Sequence, residues 1–165
     1  MKIVILGVDP RSEAIERLLV DAGYTVRLGS ADAAGCDMLI FAGSREHMDD
    51  LLAQAGRVSP STTVVDAMDS APPGGASGSE LLARRLDTRR IVRVLIMAPQ
   101  VGAHILCCGD DADAKKMVND LFRTAGCIAT DRGPLANAAE IEAPPSATSQ
   151  SSFETLKSAN SVGSM

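Results

Sequence analysis

The sequence predicts an α/β domain built on a doubly wound, mostly parallel sheet. Three observations lead there. Short apolar runs alternate with helical patterns along the first 142 residues. Runs such as Met38–Ala42 are apolar almost throughout, as in a strand covered on both faces. The chain also opens on Lys2-Ile3-Val4-Ile5-Leu6-Gly7, a buried-strand run halted by glycine just before a helix start.

The elements follow in order. Lys2–Leu6 reads as the first strand. Pro10–Ala22 reads as a helix, because Ala14, Ile15, Leu18, Leu19 and Ala22 share one face at three-and-four spacing. Asp9 suits its N-cap, Pro10 its first turn and Glu13 its positive end, and Gly23 stops it. Thr25–Leu28 is a second strand, closed by Gly29-Ser30, and Met38–Ala42 a third. Arg45–Ala55 is a second helix with Met48, Leu51, Leu52 and Ala55 inward, and Thr63–Asp66 a fourth strand. The stretch from Ser70 to Gly78, rich in Pro, Gly and Ser, reads as a loop that is flexible by composition. Glu80–Leu86 is a short helix. Ile91–Met97 and His104–Cys108 are the fifth and sixth strands. Asp110–Ala125 is a long helix facing the core with Ala114, Met117, Val118, Leu121 and Phe122. Ile128–Thr130 is a further strand and Pro134–Ile141 a last short helix. The expected organisation is one domain over residues 1–142 and a flexible Pro/Ser-rich tail over 143–165; a solvated tail is the plainer reading, with weak docking or a partner motif at Phe153 and Leu156 as the alternatives.

Composition narrows the function classes. A chain of 165 residues supports one sizeable core. With three Phe, one Tyr and no Trp, that core must come from Val, Ile, Leu, Ala and Met. Stacking platforms for single-stranded nucleic acid are missing, and a net charge of -5 opposes phosphate backbones, so no nucleic-acid partner is expected. No apolar run nears the roughly 20 residues of a membrane span, and the first strand begins without a signal-peptide pattern. A cytoplasmic protein with free thiols at Cys36, Cys107, Cys108 and Cys127 is the expectation. His47 and His104 have no ligand-type neighbours at metal spacing, so no metal is expected. Asp110-Asp111-Ala112-Asp113 reads as helix capping, and no nucleophile elbow occurs.

The strand–turn–helix at the start stands where a dinucleotide-binding domain carries G-x-G-x-x-G. Here Gly7 keeps the first glycine, Val8 follows it, Asp9 takes the second glycine position and Ser12 the third. A helix N-terminus attracts anions through its open N–H groups and its dipole. Asp9 would satisfy those groups itself, for about 1 kcal/mol of helix stability. It would also repel a diphosphate by about 1 to 4 kcal/mol at a few ångströms. Arg11 is the counterweight, since a guanidinium can grip phosphate bidentately; solvation, or pairing with Asp9 or Glu13, is the plainer reading. Ala42-Gly43-Ser44 would let a dinucleotide pass close to the backbone, with Ser44 as a helix cap. Asp32 lies near the spacing of a ribose carboxylate but fits a turn cap better. The candidate cofactor-binding residues are Gly7, Val8, Asp9, Arg11, Ser12, Ser30, Ala42 and Gly43; no catalytic residue is assigned.

The motifs in order resemble the deazaflavin (coenzyme F420)-dependent NADP oxidoreductase family. Its Rossmann fold is related to the N-terminal domain of pyrroline-5-carboxylate reductase. The resemblance is carried by Cys108-Gly109-Asp110-Asp111, Ala114-Lys115-Lys116-Met117-Val118, Ala125-Gly126 and the run from Asp131-Arg132-Gly133-Pro134 to Glu142. Gly78–Ala83, Arg90–Arg93 and Val64-Val65-Asp66 are similar to the family's helix and strands upstream. The departures fall on ligand positions. Met68-Asp69-Ser70 replaces an Asn-Pro turn, Arg93-Val94-Leu95-Ile96 replaces a Lys-Ala-Phe-Asn strand end, and the link to His104 is shortened. In the family, Ser followed by Arg holds the adenosine 2′-phosphate; here Ser30 is followed by Ala31.

The resemblance implies a Rossmann-like enzyme passing hydride between a nicotinamide and a second redox partner. NADP is the implied cofactor, with NAD or none as alternatives, and a small-molecule nucleotide the implied partner. The altered loop favours the alternative, a non-catalytic Rossmann module for another nucleotide or for protein interaction. A homo-oligomer whose neighbour completes the site stays open.

Overall fold

A computed structural model describes residues 1–29, 33–69 and 77–142. Among these, the chain runs β1 (Ile3–Leu6), α1 (Pro10–Asp21), β2 (Val26–Leu28), β3 (Met38–Gly43), α2 (Met48–Ala55), β4 (Thr63–Met68), α3 (Gly78–Leu86), β5 (Ile91–Ile96), β6 (His104–Gly109), α4 (Ala112–Thr124), β7 (Ile128–Asp131) and α5 (Ala138–Glu142). Single 3-10 turns at Arg45–His47 and Leu135–Asn137 lead into α2 and α5. The loop residues 70–76 and the tail expected after Ala143 lie outside the described residues, as do Ser30, Ala31 and Asp32.

The strands form one sheet in the order β2-β1-β3-β4-β5-β6-β7. The first five are parallel; β6 returns antiparallel to β5, and β7 runs parallel to β6. Helices cover both faces. One core layer packs Ile15, Leu18 and Leu19 of α1 and Val118, Leu121 and Phe122 of α4 onto Ile3, Ile5, Ile40 and Val65. The other packs Met48 and Leu51 of α2, Leu82 of α3 and Ile141 of α5 onto Val4, Leu6, Phe41 and Val64. Every residue of β3 and β4 is buried, as strands covered on both faces require. This is the doubly wound Rossmann-type domain that the sequence predicts.

Some boundaries differ. The fourth strand runs on to Met68, so Asp66 stands inside it rather than at its end. α3 begins at Gly78, two residues before Glu80, because Ser77 and Glu80 form a capping box: Glu80 donates its N–H to Ser77 Oγ at 3.0 Å, and Ser77 donates its N–H to Glu80 Oε2 at 3.2 Å. The core also departs from the aliphatic expectation. Phe41, Phe122 and, unexpectedly, Arg93 are among its largest fully buried side chains.

Candidate functional site at the strand switch point

The chain leaves β1 toward β2 on one side and later returns to β3 on the other. By the topology of open α/β sheets, the crevice that receives ligands is the one between the carboxyl ends of β1 and β3. Glycine lines both walls. Gly7 ends β1 with φ 138°, and a Cβ there would run into the Ala42 carbonyl oxygen and sit 2.5 Å from Ser12 Oγ. Gly43 ends β3 with φ 102°. These conformations and this closeness exclude side chains, so Gly7, Ala42 and Gly43 come together as expected.

Asp9 lies in the crevice. It caps α1: its Oδ1 accepts the Ser12 N–H at 2.9 Å and the Ser12 hydroxyl at 2.8 Å. Its Oδ2 turns to the opposite wall, 3.2 Å from where a Gly43 Cβ would stand. Ser12 is fully buried, and it fits there because Gly7 has no Cβ. Pro10 brings no N–H, and the Glu13 N–H reaches the Asp9 carbonyl at 3.3 Å. The Arg11 N–H is thus the remaining donor of the first turn. As found, this set does not fit a diphosphate, because a carboxylate already holds the donor such a group would use.

The other candidates fall as follows. Val8 is fully exposed and makes no wall. Arg11 is partly exposed and forms no ion pair with Asp9 or Glu13 among the described residues. Ser44 caps the 3-10 turn, accepting the Glu46 N–H at 3.4 Å. Ser30 and Asp32 lie outside the described residues.

A feature that the sequence reading missed stands beside the crevice. Asp66 of β4, wholly buried, faces two arginines. Arg45 donates through Nη2 to Asp66 Oδ2 at 3.1 Å and Oδ1 at 3.3 Å. Arg93 of β5, also wholly buried, donates through Nη1 to the carbonyls of Asp66 at 3.0 Å and Met68 at 2.7 Å, and lies 3.5 Å from Asp66 Oδ1. The Ser79 hydroxyl of α3 donates to Asp66 Oδ2 at 2.6 Å. The signal available was charge: Asp66 and Arg93 interrupt apolar strands, and a charge inside a buried strand needs a partner. Nothing in their spacing named Arg45.

No other chemistry is assembled among the described residues. Burial pushes the thiols of Cys36, Cys107 and Cys127 up, away from the reactive thiolate. His47 and His104 are exposed, and no group of metal-ligating side chains forms among the described residues. Among the described residues, no helix is long and apolar enough to cross a membrane.

No family model and no curated protein matches the chain. Solved structures do. An imine reductase from Myxococcus stipitatus in complex with NADP+ matches with TM-score 0.67 at 16% identity, over 99% of this chain and 63% of its own. A PanE/ApbA family ketopantoate reductase from Ralstonia eutropha matches with TM-score 0.67 at 12% identity, over 84% and 59%. A prephenate dehydrogenase from A. aeolicus in complex with hydroxyphenyl propionate and NAD+ matches with TM-score 0.64 at 12% identity, over 81% and 60%. The chain spans about three fifths of the length of each of these structures. At these identities the likeness is one of fold: this chain has the Rossmann-type fold found in these oxidoreductases.

Proposed function

We propose that this chain is a nicotinamide-dinucleotide-type binding domain of the oxidoreductase class that has kept the scaffold of its cleft and weakened the pyrophosphate seat. The observation that carries the reading is the pair Gly7 and Gly43, closing β1 and β3 on either side of the switch point. The protein's own packing already calls for glycine at both, Gly7 against the Ala42 carbonyl and buried Ser12 and Gly43 against Asp9; what supports the reading is their place on either side of the switch point, where sheets of this kind receive ligands. The fold neighbours support the same class, since two of them are complexes with NADP+ and NAD+. The finer reading, hydride transfer between NADP(H) and a deazaflavin-type partner, one being oxidised as the other is reduced, rests on the resemblance of the closing segment from Asp131 to Glu142.

A second reading, a non-catalytic module, is favoured by Asp9, which supplies internally the anion that the helix end would otherwise seek. Thermal melting with NADPH, NADP+ and NAD+ separates the two. Ligand binding to the native state raises the melting temperature as its concentration exceeds Kd. A saturable upward shift supports the dinucleotide reading. A flat melting temperature at millimolar ligand supports the module.

A further inference from the structure

We propose that Arg45 decides how much of a dinucleotide this domain can hold: it straps shut the half of the cleft beyond the switch point, so that only the half over β1 and β2 receives a ligand. The inference rests on the dinucleotide reading above. A dinucleotide bridges two mononucleotide-binding halves of such a sheet, one on each side of the switch point. The second half belongs to the carboxyl ends of β3, β4 and β5.

There the turn after β3 is tied to the end of β4 by several bonds that converge on Arg45. Its N–H donates to Asp69 Oδ1 at 2.7 Å. Its Nε donates to the Asp69 carbonyl at 3.1 Å. Its Nη2 holds the buried Asp66 carboxylate. The Asp69 N–H closes the ring by reaching the Gly43 carbonyl at 2.9 Å. The start of α3 lies over the guanidinium, so closely that a Cβ at Gly78 would enter it. Only 10% of the Arg45 side chain meets solvent. The space between these two turns is thus filled by an arginine whose backbone N–H and Nε donate to Asp69 and whose Nη2 donates to Asp66. A ligand half that needs the turns parted must first break a charge-assisted pair in a buried setting.

Removing Arg45 is tolerable, because Asp66 keeps Arg93 and Ser79. The test is calorimetric titration on the Asp9→Gly background, which takes the opposing carboxylate out of the pyrophosphate seat. The probes are matched pairs: ADP-ribose with NAD+, and 2′-phospho-ADP-ribose with NADP+. In Asp9→Gly each fragment should bind as tightly as its parent, within about threefold, because the nicotinamide half finds no place. In Asp9→Gly/Arg45→Met the parent should gain about tenfold or more over its fragment, equivalent to about 1.4 kcal/mol. Arg45→Lys, which keeps the charge but loses the forked geometry, should fall between and serves if the methionine variant folds poorly. A parent that already binds tenfold tighter than its fragment in Asp9→Gly overturns the strap. So does an unchanged ratio after Arg45 is replaced. Failure of every probe to bind any variant overturns the dinucleotide reading itself, a different result from either.

Discussion

The two halves of the carboxyl edge are built from interactions of different reach. At the β1 turn, Asp9 and Ser12 satisfy one another across three positions of sequence. Between β3 and β5, Asp66 meets Arg45 across 21 positions and Arg93 across 27. The first half is a local motif that any chain with those residues before a helix would form. The second exists only once three strands and a helix have assembled. Local capping holds one helix end at a cost of about 1 kcal/mol if lost. A buried charge network instead makes several elements depend on one carboxylate.

That dependence gives the largest expected effect. Asp66→Asn keeps the shape but leaves Arg45 and Arg93 in the interior without their shared anion. It should destabilise the fold by about 3 to 5 kcal/mol, read as a lowered urea midpoint. A loss within the ordinary range of a surface change, about 0.5 kcal/mol, would show that water reaches the arginines and that the network binds nothing together. Gly7→Ala probes the other half and should cost less, about 1 to 3 kcal/mol. The added Cβ meets the Ala42 carbonyl and forces a backbone shift at a φ that side chains rarely adopt. The same substitution should abolish any melting shift produced by NADPH. Stability and ligand response unchanged in Gly7→Ala would remove the argument that glycine is needed there.

The contrast also explains what could be read from the chain before folding. The succession of strands and the helix faces were legible because periodicity reports burial directly: Ile15, Leu18 and Leu19 are buried as the three-and-four pattern requires. The Asp9 cap was legible because it acts over one turn. The sequence reading starts α3 two residues late although Ser77 and Glu80 spell its capping box, since the Pro/Gly/Ser run before them reads as loop. In the sequence Arg93 reads only as part of a strand end that departs from the resembled family. Its role depends on the carbonyls of Asp66 and Met68, whose position is a product of tertiary assembly. Arg45 follows a helix cap and looks like a solvated first-turn residue; only the arrival of α3 over it makes it buried.

The central claim is that an internal carboxylate stands where a diphosphate would sit. Titration of NADPH into wild type and Asp9→Gly, followed by calorimetry, tests it most directly. Gly serves nearly as well as Asp at a helix cap, so the variant should stay folded within a few tenths of a kcal/mol. Relief of about 1 to 4 kcal/mol of repulsion should tighten NADPH binding by about fivefold to a thousandfold. Equal or weaker binding by Asp9→Gly, or micromolar binding by the wild type with Asp9 still seated on Ser12, would contradict the account.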